Sequence, residues 1–259
     1  MNHFFILGTD PRYDRLADLI SERGGTIFRT KKSLSCPAVW IFPLSAEEKT
    51  ILSTLDHAAK GSLVLVGRKS PELELFATNH EMSLLALLED KMYLEKNALA
   101  TAEGTLAEVI RETDRTLPEM CVLVCGYGNC GKALSRLFWL CGCEVWVFSR
   151  EESLKRAEEE GFNAFRGPKE NLSMFDLILN TVPAPIFDDA FLSTLAKGAH
   201  FFQVASGLSG IPPQNLEEKG VFFHPLPGLP GRYASQSEAE AIFAFLKEHI
   251  PKTKVSEEP

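Results

Sequence analysis

The sequence predicts an α/β protein made of two doubly wound parallel-sheet domains with an interdomain cleft. Short apolar runs of strand length alternate with helical segments along most of the chain, a pattern typical of a parallel sheet covered by helices. A glycine-rich turn, Gly126 to Gly131, separates one such strand from one such helix near the middle of the chain. A length of 259 residues suits two ordinary domains.

The first half of the chain predicts an α/β layer of its own. Pro11 suits the first position of a helix, and Gly24 suits its end. The predicted strands span residues 4–8, 26–29, 38–42 and 63–67, and the predicted helices span residues 11–23, 46–58 and part of 79–96. Residues 1–97 are therefore assigned to an N-terminal α/β substrate-side domain.

The second half predicts a similar layer. A linker helix at 98–117 leads into it, and its strands are expected at residues 121–125, 144–148, 162–165, 176–181, 200–205 and 221–223. The second domain is assigned to residues 118–232. A C-terminal helix at 233–250 and a flexible tail at 251–259 complete the chain.

The glycine-rich turn predicts a Rossmann-like dinucleotide site. Gly126 permits a tight turn, Gly128 lets backbone N–H groups approach a pyrophosphate, and Gly131 lets helix and strand pack closely. The strand before the turn and the helix after it belong to a βαβ unit, which is the context that this motif requires. The predicted cofactor-binding residues of the turn are Gly126, Tyr127, Gly128, Asn129, Cys130 and Gly131.

The end of the second strand of this unit predicts NADP rather than NAD. That strand ends Phe148-Ser149-Arg150, without the acid that would bind the ribose 2′-hydroxyl of NAD. The Arg150 guanidinium suits a 2′-phosphate, so Ser149 and Arg150 are assigned to the cofactor. Glu151 is the main objection, and NAD stays possible. Lys155 and Arg156 either add to the positive field or pair with neighbouring glutamates.

Two further segments are assigned to the cofactor site. Residues Asn180, Thr181, Val182 and Pro183 follow a buried strand and are expected to bound the hydride-transfer site, although the prolines could simply end the strand. Ser206 follows the next strand and is assigned to the same site.

Three groups of residues are candidates for the substrate side. Arg12 follows the first strand and could hold a carboxylate, or Asp10 could cap the helix and leave Arg12 solvated. Thr101 and Glu103, with Gly104, are placed at a helix start and are the catalytic candidates, with plain capping as the alternative. The segment Gly228, Leu229, Pro230, Gly231 and Arg232 is expected to form an irregular substrate-side loop.

Composition excludes several classes of partner. A formal net charge of −8 without a basic face argues against nucleic acid. The N-terminus lacks a signal peptide, and no apolar stretch approaches the ~20 residues of a membrane span, so a cytoplasmic protein is expected.

The Cys141-Gly142-Cys143 pair is not followed by a second His or Cys pair at the spacing of metal ligands, so no metal site is expected. Disulfides are not expected in the cytoplasm. A homo-oligomer is expected.

Several motifs together resemble the dipicolinic acid synthetase A family, the dehydrogenase-like A-type subunits of dipicolinate synthase. They are Gly8-Thr9-Asp10-Pro11-Arg12, Thr101-Ala102-Glu103-Gly104 with Thr113 and Thr116, Gly126-Tyr127-Gly128, Asn180-Thr181-Val182-Pro183-Ala184 and Pro227-Gly228-Leu229-Pro230-Gly231. The resemblance implies two Rossmann-like domains, an NADP-type cofactor and oxidation of the dicarboxylate dihydrodipicolinate to dipicolinate in spore formation. It also implies a flavoprotein-like partner, the B-type subunit of the same synthase.

The chain departs from that family where cations are expected. Gly128-Asn129-Cys130-Gly131 stands for Gly-Arg-Thr-Gly, Ser206-Gly207-Leu208-Ser209-Gly210 stands for Ser-Lys-Pro-Gly-Gly, and Ala234-Ser235-Gln236-Ser237-Glu238 stands for Ala-Pro-Lys-Thr-Ala. Two alternatives therefore stay open. One is another two-domain NAD(P)-dependent small-molecule dehydrogenase, and the other is a non-enzymatic dinucleotide-sensing module.

Overall fold

The computed structural model describes residues 2–30, 35–167, 172–188, 192–207 and 212–250, and the chain divides into two compact units. Unit 1 comprises Met1–Asn97 and Ala234–Pro259, and unit 2 comprises Ala98–Tyr233. Each unit contains a sheet of parallel strands interleaved with helices. The predicted α/β class with two Rossmann-like parallel sheets is confirmed. The tail predicted to be flexible, 251–259, lies outside the described residues.

The strands and helices are numbered along the chain. The strands are β1 (His3–Ile6), β2 (Thr26–Phe28), β3 (Val39–Ile41), β4 (Leu63–Val66), β5 (Ser83–Ala86), β6 (Cys121–Cys125), β7 (Glu144–Phe148), β8 (Asn163–Ala164), β9 (Leu177–Asn180), β10 (His200–Gln203) and β11 (Phe222–Pro225). The helices are α1 (Pro11–Ser21), α2 (Glu48–Leu55), α3 (Pro71–Asn79), α4 (Lys91–Glu112), α5 (Asn129–Leu140), α6 (Glu151–Glu159), α7 (Pro213–Glu217), α8 (Leu229–Tyr233) and α9 (Ser235–His249).

Unit 1 is a sheet of order β2-β1-β3-β4-β5 with an apolar cluster on each face. Leu16 and Ile20 of α1 pack with Ile242 of α9 on one face. On the other face Phe5 stacks on Trp40, with ring centroids 3.8 Å apart, and both join a cluster that contains residues of α2 and α3. The C-terminal helix therefore completes the layer that α1 begins.

One part of unit 1 differs from the prediction. The helix predicted within residues 79–96 begins only at Lys91, as α4, and neither α3 (Pro71–Asn79) nor β5 (Ser83–Ala86) before it was predicted from the sequence. The start of α3 carries a recognisable signal, because Ser70 caps it by accepting from the Leu73 N–H and Pro71 occupies its first turn. The strand β5 is short and partly exposed, so its apolar pattern does not distinguish it from a helix.

Unit 2 is a sheet of order β11-β10-β9-β6-β7-β8 with all pairs parallel. The register pairs Cys125 with both Phe148 and Asn180. The loops after β6, β7 and β9 therefore leave the sheet at one edge, where ligands of open α/β sheets bind. Helices α4 and α5 contribute to one apolar cluster on a face of this sheet.

Three properties of the described residues bear on function. None of the described helices is both long and apolar enough to cross a bilayer. All six cysteines lie among the described residues, and each is a free thiol. In the described part of the chain, no three His, Cys, Asp or Glu side chains come together as metal ligands would.

Candidate functional site

The glycine-rich turn of unit 2 is built on two glycines that neighbouring groups hold closely. Gly126 has a φ of +96°, and a Cβ there would lie 2.4 Å from the Thr181 hydroxyl oxygen. A Cβ on Gly131 would lie 2.1 Å from the Gly126 carbonyl oxygen. A side chain at Gly126 would displace the loop after β9, and one at Gly131 would push α5 away from the end of β6, so both glycines are needed for the packing of the turn.

The middle glycine of the turn has a different environment. Gly128 precedes α5 with extended backbone, φ −82°, and a Cβ placed there would meet no heavy atom within 4 Å. No side chain caps α5, and its first turn carries no acidic residue. Open space therefore adjoins the N–H groups at a helix start, and these residues fit the pyrophosphate of a dinucleotide.

The loop after β9 closes one side of the turn through internal hydrogen bonds. The Thr181 hydroxyl donates to the Cys125 carbonyl at 2.8 Å. The buried Asn180 amide donates to the Val182 carbonyl at 3.3 Å and to Gln203 Oε1 at 2.9 Å, and it accepts from the Val182 N–H at 3.1 Å. Asn180 thus positions the chain at Val182, while the exposed Pro183 is accessible at the edge.

Gln203 was not found from the sequence. Its side-chain amide donates to the Ala205 carbonyl at 3.1 Å, and its carbonyl accepts from Asn180. The sequence feature that could have indicated Gln203 is a polar residue at the end of a buried strand. The exposed Ser206 follows at the same edge, and the altered segment beyond it, 208–210, lies outside the described residues.

The end of β7 presents one cation without an internal partner. Arg150 precedes α6 as its N-cap and is exposed, and its guanidinium makes no hydrogen bond or ion pair with the described residues. Lys155 pairs with Glu151 at 3.7 Å, and Arg156 donates to Ser153 Oγ at 3.0 Å. The structure therefore favours pairing of Lys155 with Glu151 over a contribution of Lys155 to the positive potential at a 2′-phosphate. Because Glu151 is paired, its negative charge is a weaker objection to NADP.

Tyr127 belongs to the turn through its backbone only. Its ring is buried against α6, and its hydroxyl donates to Glu160 Oε2 at 2.9 Å. Lys132 pairs with the other Glu160 oxygen at 2.9 Å. These hydrogen bonds, from Lys132 first and Tyr127 second, hold the pKa of Glu160 below its ordinary value. The Tyr127 side chain thus fastens the turn to the end of α6, while Asn129 is exposed.

Thr101 lies beside the turn, through Cys130. The Thr101 side chain hydrogen-bonds the Cys130 thiol; burial raises the pKa of that thiol, and the contact with Thr101 opposes the rise. Gly104, one turn further along α4, is also closely packed: a Cβ there would lie 3.0 Å from the Tyr233 ring and 3.1 Å from Leu229 Cβ. The structure therefore brings Thr101 and the glycine turn together.

The prediction that Thr101, Glu103 and Gly104 stand at a helix start is wrong. All three lie inside α4, which runs unbroken from Lys91 to Glu112, so their N–H groups are not at a helix terminus. Thr101 is buried and Glu103 is exposed. Residues two apart on a helix point about 200° apart, so Thr101 and Glu103 do not face one ligand.

The prediction that residues 228–232 are irregular is also wrong. Leu229–Tyr233 forms α8, in which Leu229, Pro230 and Gly231 are buried. Only Gly228, with a φ of +66°, has the turn conformation that glycine favours and is exposed. The apolar contacts of Leu229 with the cluster around α4 and α5 override the proline and glycine content.

Arg232 is bound to an internal carboxylate. It donates to Glu108 Oε1 at 2.5 Å, and the Tyr233 hydroxyl donates to the same oxygen at 2.7 Å. Arg111 forms an ion pair with the other oxygen. Burial raises the pKa of Glu108, but the two hydrogen bonds and the arginine charges outweigh it and hold that pKa below its ordinary value. Glu108 was not found from the sequence.

Arg12 of unit 1 is also bound to internal carboxylates. Asp10 caps α1, as one sequence interpretation had it, but Arg12 is only 5% exposed rather than solvated. Its Nε contacts Asp10 Oδ1 at 2.9 Å, and its Nη1 contacts Glu238 Oε2 at 3.2 Å. The Tyr93 hydroxyl donates to the same Glu238 oxygen at 2.7 Å. A substrate carboxylate would have to displace Glu238 from this network.

Comparison with known proteins first defines a class. No family model matches the chain. A transhydrogenase structure from Sinorhizobium meliloti is similar over 96% of this chain and 94% of its own, with a TM-score of 0.66 and 12% identity. The fold is therefore that of the two-domain Rossmann-type dehydrogenases.

Within this class the chain is similar to one protein in particular, the A-type subunit of dipicolinate synthase. The crystal structure of that protein from Bacillus halodurans matches with a TM-score of 0.83 and 22% identity, covering 97% of this chain and 98% of that one. The corresponding protein of Bacillus subtilis (strain 168) is 27% identical over 206 residues, which are 78% of this chain and 69% of the relative. The resemblance predicted from the motifs is confirmed.

Proposed function

We propose that this chain is an NADP-dependent, dehydrogenase-like subunit of a dipicolinate synthase that oxidises dihydrodipicolinate to dipicolinate in spore formation in the cytoplasm. The observation that carries the proposal is the open space at Gly128, beside the unblocked start of α5 and at the same sheet edge as Arg150. The similarity to the A-type protein of dipicolinate synthase supports the substrate class. The flavoprotein-like B-type protein of such a synthase is the proposed partner.

The cofactor would be held by residues of unit 2 alone. The N–H groups of Gly128 to Gly131 would bind the pyrophosphate, Ser149 and Arg150 the 2′-phosphate, and Val182, Pro183 and Ser206 would border the nicotinamide half. When bound, the dinucleotide would supply the hydride acceptor for the substrate ring, which would release a proton to water as it becomes aromatic; this aromatisation favours the oxidation. Asn180 and Thr181 position the chain that borders this half.

The substrate contacts are proposed for groups near the turn, of which Thr101 is buried and Gly228 is exposed. The Thr101 hydroxyl lies against Cys130, and the exposed backbone of Gly228 is the accessible part of the segment that was predicted to be a loop. The further role of the site would be to position the substrate ring against the nicotinamide. The proposed substrate site does not include three of the predicted residues, Arg12, Arg232 and Glu103. The two arginines bind internal carboxylates, and Glu103 points away from Thr101.

The two arginines bound to internal carboxylates favour two alternative functions. A chain whose two predicted carboxylate anchors are neutralised internally could bind a dinucleotide and act on a different small molecule, or only sense the dinucleotide. Fluorescence titration with NADPH and NADH, followed by turnover of dihydrodipicolinate with and without the B-type partner, distinguishes these functions. Binding with turnover supports the proposal, binding without turnover of dihydrodipicolinate in every condition supports the two alternatives, and absence of binding contradicts all three.

Replacing Arg150 with alanine is expected to weaken NADPH binding by roughly 1.5 to 3 kcal/mol, the range for hydrogen bonds to charged groups, and NADH binding far less. The exposed guanidinium has no partner among the described residues to hold it elsewhere. Titration of both dinucleotides measures the difference. Lys155→Ala is the matched control, because its ammonium already pairs with Glu151. Equal losses for NADPH and NADH in Arg150→Ala would contradict the NADP assignment.

A further inference from the structure

Two buried side-chain amides stand at the ends of neighbouring strands of unit 2. Asn180 is the last residue of β9 and Gln203 is the last residue of β10, and the parallel register places them opposite each other. Asn180 is fully buried, and Gln203 is 6% exposed. The register also pairs Asn180 with Cys125, which directly precedes the glycine-rich turn. The two amides therefore lie at the sheet edge that is proposed to bind the dinucleotide.

The backbone determines the orientation of both amides. Asn180 Oδ1 accepts from the Val182 N–H at 3.1 Å, which leaves the Asn180 Nδ2 donors to face Gln203. Gln203 must therefore present its acceptor, and its Oε1 lies 2.9 Å from Nδ2. This turns Gln203 Nε2 towards the Ala205 carbonyl, to which it donates at 3.1 Å. Each hydrogen bond thus fixes the direction of the next one.

The two amides connect the loop after β9 to the loop after β10. Asn180 holds both the N–H and the carbonyl of Val182. The Asn180 backbone carbonyl also accepts the Ala205 N–H at 2.9 Å, and Gln203 holds the Ala205 carbonyl. Val182 and Ser206, which follows Ala205, are among the residues proposed to border the nicotinamide half. Gln203 therefore helps to set the distance between these two borders.

We propose that Gln203 is a positioning residue for the nicotinamide half of the bound dinucleotide and acts through Asn180 and Ala205. The inference rests on the proposed function and adds to it the residue that holds the two bordering loops together. Among the described residues, the Gln203 side chain hydrogen-bonds only Asn180 and Ala205. The pyrophosphate and 2′-phosphate contacts are proposed elsewhere, so loss of this amide misplaces the nicotinamide and leaves the other half of the cofactor bound.

Two ligands that differ only in the nicotinamide test the proposal. NADP and 2′-phospho-ADP-ribose, which lacks the nicotinamide, are titrated calorimetrically into the full chain and into Gln203→Met. The variant is expected to bind NADP about tenfold more weakly, as for two lost hydrogen bonds, and 2′-phospho-ADP-ribose within about twofold of the unmodified chain. A general folding defect would weaken both ligands alike. Equal losses for the two ligands, or unchanged binding of NADP, would overturn the proposal.

The pH dependence of Gln203→Glu separates hydrogen bonding from packing. A protonated glutamate has one O–H donor and one carbonyl acceptor, as the amide has a donor and an acceptor, whereas the ionised form only accepts. Because burial disfavours the charged form, the ratio of NADP to 2′-phospho-ADP-ribose affinity should match the unmodified chain at about pH 5 and fall about tenfold by about pH 9. Gln203→Met should show the loss at both values. A Gln203→Glu ratio that stays the same at both values would overturn the proposal.

Gln214→Met is the matched control, because Gln214 is an exposed amide on α7 of the same unit. It should bind both ligands as the unmodified chain does, and urea unfolding shows that each variant folds. An unmodified chain that binds neither ligand would overturn the proposed function and this inference with it. Binding of both ligands by the unmodified chain, with equal losses in Gln203→Met, would overturn the role of Gln203 alone.

Discussion

Replacing Gly131 with alanine is expected to lower the free energy of unfolding of unit 2 by about 3 kcal/mol or more, at the upper end of overpacking effects. The added methyl group would lie 2.1 Å from the carbonyl oxygen and 2.7 Å from the carbonyl carbon of Gly126. Both are backbone atoms, so no side-chain rotation relieves the clash. The start of α5 must move, and the turn loses its geometry. Thermal or urea unfolding of the purified variant measures the effect.

Gly128→Ala in the same turn is the matched control and separates folding from binding. The new Cβ would meet no protein atom within 4 Å, and the φ of −82° is accessible to alanine. Its free energy of unfolding should therefore change by less than about 1 kcal/mol, while dinucleotide binding weakens because the methyl group enters the space proposed for the pyrophosphate. If Gly128→Ala binds NADPH as tightly as the unmodified chain, the dinucleotide is not held at this turn.

The fold and the glycine turn could be predicted because their signals are local. The apolar runs of β4, β6 and β9 are continuous, and each glycine of the turn stands at a fixed offset from a strand end. A residue such as Arg150 could be found for the same reason, since the end of the second strand of a βαβ unit has a known place relative to the turn.

The partners of charged residues could not be predicted, because they are distant in sequence. Arg12 meets Glu238, and Arg232 meets Glu108, across more than a hundred residues in each case. Nothing in the sequence near Arg12 indicates that a carboxylate from the last helix reaches it. The two arginines that resemble substrate anchors in the sequence are therefore bound internally in the structure.

Helix boundaries also failed where packing overrides local composition. Pro230 and Gly231 predict irregular structure, yet both lie in α8. Thr101 to Gly104 has the composition of a helix start, but the apolar face on either side continues through it as α4. The same contact decides the structure in both places, since Gly104 packs against Leu229 and Tyr233. These two segments are far apart in the sequence.

Replacing Arg12 with methionine is expected to lower the free energy of unfolding by about 3 to 5 kcal/mol, the cost of breaking a buried ion pair on one side. The substitution keeps most of the length of the side chain but leaves Glu238, only 1% exposed, without its cation. The Tyr93 hydroxyl would still donate to that Glu238 oxygen, but it carries no charge to balance the carboxylate. Urea unfolding at neutral pH measures the loss.

The double variant Arg12→Met with Glu238→Gln is the control that separates charge from packing. Burial raises the pKa of Glu238 above its ordinary value, against the opposing effects of Tyr93 and Arg12. A raised pKa in the folded state means that the folded chain binds more protons, so stability is highest below the unfolded pKa and falls as pH rises through the folded one. Arg12→Met should steepen that fall, and the added Glu238→Gln should abolish it and recover much of the stability at neutral pH. If the double variant is no more stable than Arg12→Met at neutral pH, the loss comes from packing, and Arg12 is not held in place by the charge of Glu238.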